Sequence, residues 1–263
     1  MLQNDYHFNK VTLLITHYNR CDSFERLLKS FQSLNCTFDA IVVSDDGSKA
    51  PHLEKLRALS SVYNYKLVEA PVNKGLGNNI NKGQDAVETE YTLYIQEDFV
   101  PTPEFPEHFK DALEIMVEDG YWDLITFYSY SPYPYLKPYK KGFSEKIFKK
   151  ALWYTDNLKF YYYGDHPHLR KSTFLQKFGR YEEGLNVDKT EMEMSLSFIK
   201  NKGRALFYDD HYGLLDQRNS NDEPSTASYR KTWSAENNLH LKALRWAYLK
   251  YKFMLLNIRL LLK

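Results

Sequence analysis

Two stretches of the chain decide the fold. Residues 11–20 read Val-Thr-Leu-Leu-Ile-Thr-His-Tyr-Asn-Arg, and residues 40–48 read Ala-Ile-Val-Val-Ser-Asp-Asp-Gly-Ser. Each begins with a short run of apolar and β-branched residues, which is typical of a strand buried on both faces. Each run then gives way to polar residues. The pattern predicts strands of a parallel sheet that end in polar turns, and ligands bind at such ends in open α/β sheets.

The first hundred residues alternate predicted strands and helices. Helices are predicted at residues 22–34 and 51–59, and further strands at residues 65–69 and 91–95. Short links between alternating strands and helices favour a parallel, doubly wound sheet. The predicted fold class is therefore α/β.

The second half of the chain has a less regular pattern. Its predicted helices and strands cover residues 105–117, 122–127, 190–201 and 204–208. Residues 128–139 are rich in aromatic residues and proline and predict a loop. We expect one main domain followed by a C-terminal helical extension.

The composition limits the kind of partner. The 263 residues include 35 Lys and Arg against 34 Asp and Glu, a formal net charge of +1. Nucleic-acid binding usually needs a basic excess, so we expect no nucleic-acid partner. Aromatic residues make up 16% of the chain, with 22 Tyr. They suit sugars and nucleobases, and a compositional bias explains them equally well.

The cellular compartment is predicted from what the sequence lacks. Cys21 and Cys36 are too few for a disulfide framework and do not have zinc-site spacing. The first ten residues have no apolar signal-peptide core, and no apolar run has the length of a membrane span. These features predict a cytoplasmic protein.

Polar clusters follow three of the predicted strands. Residues 16–20 follow the first strand, residues 45–48 the second, and Glu97-Asp98 the fourth. Carboxyl ends of parallel strands share one edge of a sheet, so the clusters predict one site with two acidic corners. A solvated turn is the alternative for either acidic pair alone. No glycine-rich phosphate loop is present, so bound phosphates would need a metal, and Asp suits Mg²⁺ or Mn²⁺.

In these motifs the chain resembles the family-two glycosyltransferases, inverting enzymes of GT-A fold. The resemblance covers residues 10–210 and rests on four motifs in the family's order. They are Thr16 to Arg20, Ser44 to Ser48, Asn73-Lys74-Gly75 with Asn81-Lys82-Gly83, and Tyr91 to Asp98. It implies a GT-A domain over residues 1–215, with a nucleotide-sugar part at about 10–100 and an acceptor part at about 101–215. Residues 216–263 would form a mobile loop and a basic amphipathic helix.

The resemblance implies roles for the matched residues. Thr16 and Tyr18 would line the nucleobase pocket, and Asp46 would accept a hydrogen bond from a uracil-like ring N–H. Asp98 would hold the Mn²⁺ or Mg²⁺ ion that bridges the donor diphosphate, with Glu97 near the ribose or sugar. The other implied donor-site residues are Asn19, Arg20, Asp45, Asn73, Gly75 and Asn81.

The chain departs from the family pattern at two donor-site positions. Ile80 stands where the family often has Arg, and Glu97-Asp98-Phe99 lacks the last acid of the commoner Asp-Asp-Asp pattern. Both departures leave the identity of the donor open.

An inverting transfer also needs a base for the acceptor hydroxyl. By the resemblance the base would fall at Met192, which cannot accept a proton, so Glu191 and Glu193 are the candidates. They point about 200° apart on a helix, so only one can face the site. Glu191 is slightly favoured, and two surface charges are the alternative. His211 could complete the metal site or be structural.

Other polar and aromatic residues are candidates for the acceptor part. His166, His168 and Arg170 could contact phosphate or acceptor, and residues 128–139 and 161–163 supply tyrosines for a sugar platform. Ordinary core or loop packing is the alternative for the tyrosines.

The last predicted helix, within Asn238 to Lys263, contains no acidic residue. Five of its basic residues fall within an arc of about 100° at helical spacing, only Lys250 lies outside it, and apolar residues cover most of the remainder. The five are Lys242, Arg245, Lys252, Arg259 and Lys263. The pattern fits docking on an anionic membrane surface, and a helix packed on the main domain is the alternative.

The sequence thus predicts a metal-dependent, inverting glycosyltransferase of hexosyltransferase type. It would move a sugar from a nucleotide-sugar, first of all a UDP-sugar, to a saccharide or lipid-linked saccharide in surface polysaccharide synthesis. It would act in the cytoplasm, peripherally at the inner face of the membrane if the last helix docks there. The alternatives are a non-catalytic sugar-binding or scaffold protein, suggested by Met192, and a nucleotidyltransferase.

Overall fold

The first half of the chain alternates strands and helices, as its sequence predicts. The structure is a computed structural model that describes residues 5–219, residue 223 and residues 239–262. The elements of this half are β1 (Tyr6–His17), α1 (Cys21–Ser33), β2 (Cys36–Asp45), α2 (Ala50–Tyr63), β3 (Lys66–Glu69), α3 (Leu76–Asp85) and β4 (Tyr91–Gln96).

The second half combines short strands with two longer helices and a C-terminal one. Its elements are β5 (Phe99–Pro101), α4 (Phe105–Asp119), β6 (Leu124–Thr126), β7 (Leu136–Lys140), β8 (Phe143–Lys146), β9 (His168–Lys171), α5 (Phe174–Phe178), α6 (Val187–Lys200), β10 (Ala205–Tyr208), β11 (Leu215–Gln217) and α7 (Leu239–Leu261). The predicted loop at residues 128–139 therefore contains the start of a strand. β7 is the outermost strand of its sheet, where Pro138 is tolerated because an edge strand leaves some N–H positions unpaired.

Nine strands form one sheet in the order β3-β2-β1-β4-β9-β6-β10-β8-β7. The pairings make β8 and β9 antiparallel to the other seven strands, so the sheet is mostly parallel. β5 and β11 form a separate antiparallel ribbon. The predicted α/β class with a C-terminal helix is confirmed.

The core lies on both faces of this sheet. Leu13 and Ile15 of β1 join the apolar cluster that includes α1 and α4, whereas Leu14 between them joins the cluster that includes Ile80 of α3. Successive side chains of a strand point to opposite faces, so β1 is covered on both sides. The apolar run that opens the sequence is the buried centre of the fold.

The register of the central strands brings the polar turns together. Thr16 at the end of β1 pairs with Ser44 of β2 on one side and with Gln96 of β4 on the other. The three strands are parallel and adjacent, so residues 16–20, 45–48 and 96–98 leave the sheet at one edge. The three polar clusters therefore share one edge of the sheet, as the sequence predicts.

The C-terminal helix packs against α6 and the segment around Phe160. Phe253 and Leu256 of α7 form a small buried cluster with Phe160 and with Met192 and Leu196 of α6. Most of the predicted mobile loop lies outside the described residues. In the described ranges, the helices are all too short or too polar to cross a membrane.

Candidate active site

A buried hydrogen bond between His17 and Asp45 holds the turns after β1 and β2. Nδ1 of His17 lies 2.8 Å from Oδ1 of Asp45, and Nε2 of His17 accepts a hydrogen bond from the backbone N–H of Arg20 at 3.1 Å. These contacts assign the proton of the neutral ring to Nδ1. Burial lowers the pKa of His17. Burial would raise the pKa of Asp45, but hydrogen bonds from His17 and Ser48 outweigh it and lower the pKa.

Asp45 thus stabilises the turns after β1 and β2, because both of its carboxylate oxygens accept hydrogen bonds within them. Ser48 donates its backbone N–H to Oδ2 of Asp45 at 2.9 Å. Asn19 adds a second link, since its Oδ1 accepts from the backbone N–H of Lys49 and its own N–H donates to Oγ of Ser48, both at 2.8 Å. Asn19 has a φ of 55°, which Asn tolerates better than most residues.

Asp46 joins the second turn to the loop before α3. Its Oδ1 accepts from the backbone N–H of Lys74 at 2.8 Å, and its Oδ2 accepts from that of Gly75 at 2.9 Å. Burial raises the pKa of Asp46. Each carboxylate oxygen can accept a further hydrogen bond, so the predicted contact with a nucleobase N–H is compatible with this geometry.

The glycine after Asp46 is required by the same contact between loops. Gly47 has a φ of +72°, and a Cβ there would lie 2.4 Å from the carbonyl carbon of Val72. Only glycine combines this φ with so close a backbone approach. The predicted Asp-Asp-Gly-Ser and Asn-x-Gly motifs are therefore neighbours in space.

The remaining predicted donor-site residues differ in their surroundings. Thr16 is buried with its Oγ1 3.2 Å from the hydroxyl of Tyr94, Tyr18 is half-buried, and Asn73 is exposed. Asn81 is buried, and its Oδ1 and Nδ2 bind the backbone N–H and carbonyl of Tyr181 at 3.0 and 2.9 Å. Asn81 thus anchors the segment before α6, away from the cluster of strand ends.

The acids after β4 are buried around Arg20. Nη1 of Arg20 lies 3.5 Å from Oε1 of Glu97 and 3.1 Å from Oδ2 of Asp98. Gln217 donates its Nε2–H to the same Oδ2 at 2.9 Å. Burial and the charge of Asp98 raise the pKa of Glu97 to about 8, against the effect of Arg20.

One oxygen of this group is unpaired. Oδ1 of Asp98 is buried and has no hydrogen-bond partner among the described residues, and Asp98 is only 2% exposed. An unsatisfied buried polar atom costs about 1–3 kcal/mol, which a ligand can recover. A carboxylate oxygen is also the donor type that Mn²⁺ and Mg²⁺ prefer. Asp98 therefore fits the divalent cation that the sequence predicts.

A late segment of the chain returns to this acidic group. The backbone N–H of Arg218 donates to the carbonyl of Asp98 at 2.7 Å. Glu223 accepts hydrogen bonds from the backbone N–H groups of Asp22 and Ser23, at 2.9 and 2.7 Å, and so caps α1. Neither residue was predicted from the sequence, because contacts across about 120 and 200 positions leave no local pattern.

A second group of polar side chains lies beside the first. Asp165, His166 and Glu191 each offer one ligand atom, and these atoms lie within 4.8 Å of one another. Across the described ranges, no other group of three His, Cys, Asp or Glu residues is this close. Gln96, next to Glu97, places its Nε2 3.4 Å from Oδ2 of Asp165. The second group thus contacts the residue that directly precedes Glu97 in the chain.

Helix α6 separates the two predicted base candidates. Its N-cap Asn186 accepts a hydrogen bond from the backbone N–H of Lys189 at 3.0 Å, which fixes the start of the helix. Glu191 joins Asp165 and His166, whereas both oxygens of Glu193 are bound by Arg259 of α7. Only one of the two glutamates lies in the polar group.

His211 lies apart from the group of three. Its ring centroid is 4.2 Å from that of Tyr212, and its carbonyl accepts the backbone N–H of Ser129 at 3.2 Å. The structure thus brings Asp98 and Glu191 to connected groups, and it does not place His211 in a three-ligand cluster with Asp98. The metal role of His211 stays a prediction.

Lys146 and Arg170 are buried basic residues of β8 and β9. Lys146 donates to Oγ1 of Thr126 and to the carbonyl of Tyr162, both at 3.2 Å. Burial lowers the pKa of Lys146 to about 7, although the charge of Glu191 opposes this effect. Arg170 is fully buried and donates to the hydroxyl of Tyr181 at 2.6 Å, so it is a core residue. Lys146 was missed because a single Lys in a short strand carries no sequence signal.

Burial also affects His168, another acceptor-side candidate. Burial, with the charge of Arg170, holds the pKa of His168 well below its usual value. Its Nε2 is buried without a partner among the described residues. His166 instead lies among aromatic rings, with centroids 5.5 Å from Tyr128 and 4.8 Å from Tyr130. The predicted tyrosine-rich segment therefore borders the polar group.

A mostly parallel sheet with an acidic pair after its fourth strand and a carboxylate on a later helix has the architecture of the GT-A glycosyltransferases. The chain belongs to the family "Glycosyl transferase family 2", whose model matches residues 12–179. It is 26% identical over 96 residues to the poly-beta-1,6-N-acetyl-D-glucosamine synthase of Staphylococcus epidermidis. The match covers 36% of this chain and 23% of that protein.

Solved structures show the same fold. TarS 1–349 of S. aureus, crystallised with UDP-GlcNAc, matches with a TM-score of 0.58 and 18% identity, over 82% of this chain and 61% of that one. Mannosyltransferase PcManGT from Pyrobaculum calidifontis, in complex with GDP-Man and Mn²⁺, gives a TM-score of 0.52 and 14% identity, over 77% and 55% of the two chains. At these identities the likeness concerns the fold.

Proposed function

We propose that the protein is a metal-dependent glycosyltransferase that moves a hexose from a nucleotide-sugar to a hydroxyl of a saccharide or lipid-linked saccharide, with inversion. The observation that carries this is the connection of two groups of side chains. Glu97 and Asp98 follow β4, Glu191 lies with Asp165 and His166, and Gln96, the residue before Glu97, contacts Asp165. A donor diphosphate at the first group would place its sugar toward the second.

The donor side binds and orients the nucleotide. The loops around Asp46 are held by partly buried hydrogen bonds, so they offer a preformed edge for a pocket that Tyr18, itself half-buried, would line. A rigid pocket binds more tightly because less conformational freedom is lost. Mn²⁺ or Mg²⁺ held by Asp98 would offset the charge of the diphosphate leaving group.

Glu191 acts as the base. The acceptor oxygen attacks the anomeric carbon, and the bond from that carbon to the diphosphate oxygen breaks on the opposite side. The acceptor proton passes to the carboxylate of Glu191. His166 and Asp165 lie within 4.8 Å of its oxygen and orient it. Glu193 has no part in this step because Arg259 binds it.

A UDP-sugar is the first donor to test. TarS was crystallised with UDP-GlcNAc, PcManGT forms a complex with GDP-Man, and the relative from S. epidermidis is a poly-beta-1,6-N-acetyl-D-glucosamine synthase. A role in surface polysaccharide synthesis follows the same relatives by analogy.

A non-catalytic sugar-binding protein of this fold is the second candidate. It is favoured by Met192, which stands where the family resemblance implies the base and is buried against Phe160 and α7. Both candidates would bind the donor, and only the glycosyltransferase would form a product from it.

Donor binding is tested by thermal unfolding with UDP-, GDP-, CDP- and dTDP-sugars in the presence of Mn²⁺. A donor at about 100 times its Kd stabilises the fold by about 2.7 kcal/mol, a rise in Tm of roughly 5–10 °C for a chain of this size. Product formation with that donor then supports transfer. Stabilisation without any product or donor hydrolysis favours the sugar-binding candidate, and no stabilisation by any donor contradicts both.

A further inference from the structure

Helix α7 has two apolar faces, and the main domain covers only one. Phe253 and Leu256 are buried against Phe160 and α6. The other side, which we call the outward face, consists of six residues that are 41–82% exposed. They are Tyr251, Met254, Leu255, Ile258, Leu261 and Leu262. Six large apolar side chains on one exposed helix face form a patch of the kind that marks an interaction site.

The charges beside the outward face are positive. At about 100° per residue, Lys250 lies at one edge of this face and Lys252 at the other. Residues 239–262 include no Asp or Glu. Arg259 belongs to the predicted basic stripe, but it is bound by Glu193. The basic stripe is thus partly turned toward the domain, and the exposed surface is apolar with cationic edges.

The loop at residues 149–153, which is linked to α7 through Lys159, carries a second pair of exposed apolar side chains. Leu152 is 64% and Trp153 is 78% exposed. The carbonyl of Lys149, just before them, accepts a hydrogen bond from Nζ of Lys159 at 3.1 Å, and the same Nζ lies 4.6 Å from the ring centroid of Phe253. Tryptophan is favoured where apolar and polar phases meet, because its ring is apolar and its N–H can bond to water or headgroups.

We propose that the outward face of α7 docks on an anionic lipid surface. Its Leu, Ile and Met side chains would enter the boundary between headgroups and acyl chains, with α7 lying in the plane of the surface. Lys250 and Lys252 would extend to lipid phosphates at the two edges. A second copy of the chain fits less well, since pairing two such faces would bring cationic edges together without an acid on either helix.

The position of α7 has a consequence that rests on the proposed function. Helix α6 carries Glu191 in the polar group and contacts α7 through Met192 and Glu193. Docking through α7 would therefore hold the acceptor side of the site at a fixed place relative to the lipid surface. A lipid-linked saccharide would meet Glu191 at that surface.

The test is flotation of the full chain with vesicles of pure phosphatidylcholine or with 30% phosphatidylglycerol added. We expect at least tenfold stronger binding to the anionic vesicles, weakened by salt. The triple variant Met254→Gln, Ile258→Gln, Leu261→Gln should lose at least tenfold of that binding. The matched control is Val62→Gln, Val72→Gln, Val117→Gln, whose apolar side chains are 58–69% exposed elsewhere, and it should bind like the wild type.

Each other outcome contradicts docking through this face. Wild-type protein that ignores anionic vesicles, or an outward-face variant that binds as well as the control, overturns the proposal. So does a wild-type dimer that the same variant converts to a monomer in sedimentation, because a second copy then covers the face. Circular dichroism and Tm verify that both variants are folded. No donor or acceptor is present, so failure here leaves the proposed transfer untouched.

Discussion

Arg259 of α7 binds Glu193 of α6 through both carboxylate oxygens, with Nη1 2.8 Å from Oε1. This pair turns Glu193 away from the polar group that holds Glu191. A contact between two helices thus resolves which of two nearby glutamates is available for chemistry. The same contact helps to hold the C-terminal helix against α6.

The Arg259–Glu193 pair should contribute modestly to stability. Its side chains are 39% and 23% exposed, and partly exposed ion pairs contribute about 0.2–1 kcal/mol because water screens them. We expect a coupling free energy in that range from a double-mutant cycle of Arg259→Gln and Glu193→Gln in urea unfolding. A coupling of zero would mean that this pair adds nothing to the apolar contacts that Phe253 and Leu256 make.

Asp98→Asn should remove the metal dependence of donor binding. The substitution keeps the shape but takes away the charge of the buried oxygen that lacks a partner. We expect the difference in donor-induced Tm shift between Mn²⁺ and EDTA to vanish in Asp98→Asn. Asp165→Asn is the matched control and should keep that difference. If Asp165→Asn loses that difference and Asp98→Asn keeps it, the ion lies at Asp165, His166 and Glu191.

Glu97 should make stability depend on pH. Its pKa is raised to about 8 by burial and by Asp98, so the folded state binds this proton more tightly than the unfolded chain. Its contribution is complete below the unfolded pKa of about 4.5 and is lost as the pH rises through about 8.

We therefore compare wild type with Glu97→Gln in urea unfolding from pH 5 to pH 9. The free energy of unfolding of the wild type, less that of the variant, should fall by up to about 1.4 kcal/mol per pH unit between these pKa values. Lys146, with its pKa lowered to about 7, titrates in both proteins and cancels. A flat difference would contradict the raised pKa.

Gly47→Ala should destabilise the fold and weaken donor binding. The added Cβ would meet the carbonyl carbon of Val72 at 2.4 Å, and φ is +72°. Strain at such positions costs about 1–3 kcal/mol, and the clash adds to it. Gly120→Ala is the control, since φ there is +57° and nothing lies within 4 Å of its Cβ. Equal losses of Tm in the two variants would show that the loop contact contributes nothing.

Much of the fold follows from local sequence patterns, and the site follows only in part. The apolar runs at β1, β2 and β4 and the polar turns after them are local features, so the edge of the sheet was predictable. Contacts between distant segments were not. Gln217 reaches Asp98, and Arg259 reaches Glu193, across 119 and 66 positions.

The sequence also does not show which individual side chains remain available for a ligand. Asn81 belongs to a recognisable motif, yet its amide is used by Tyr181. Asp165 becomes significant only when the chain brings it to Glu191. The residue types give the available chemistry, whereas the pairing of buried donors and acceptors decides which residues remain available for a ligand.

The most direct measurement is product formation by Glu191→Gln beside Glu193→Gln, with the donor found by thermal unfolding. We predict that Glu191→Gln binds the donor like the wild type and loses about 10²–10⁴-fold in kcat, because a general base contributes a factor of that size. Glu193→Gln should retain kcat within about threefold, since Glu193 is bound to Arg259 outside the polar group. Full turnover by Glu191→Gln would contradict the account.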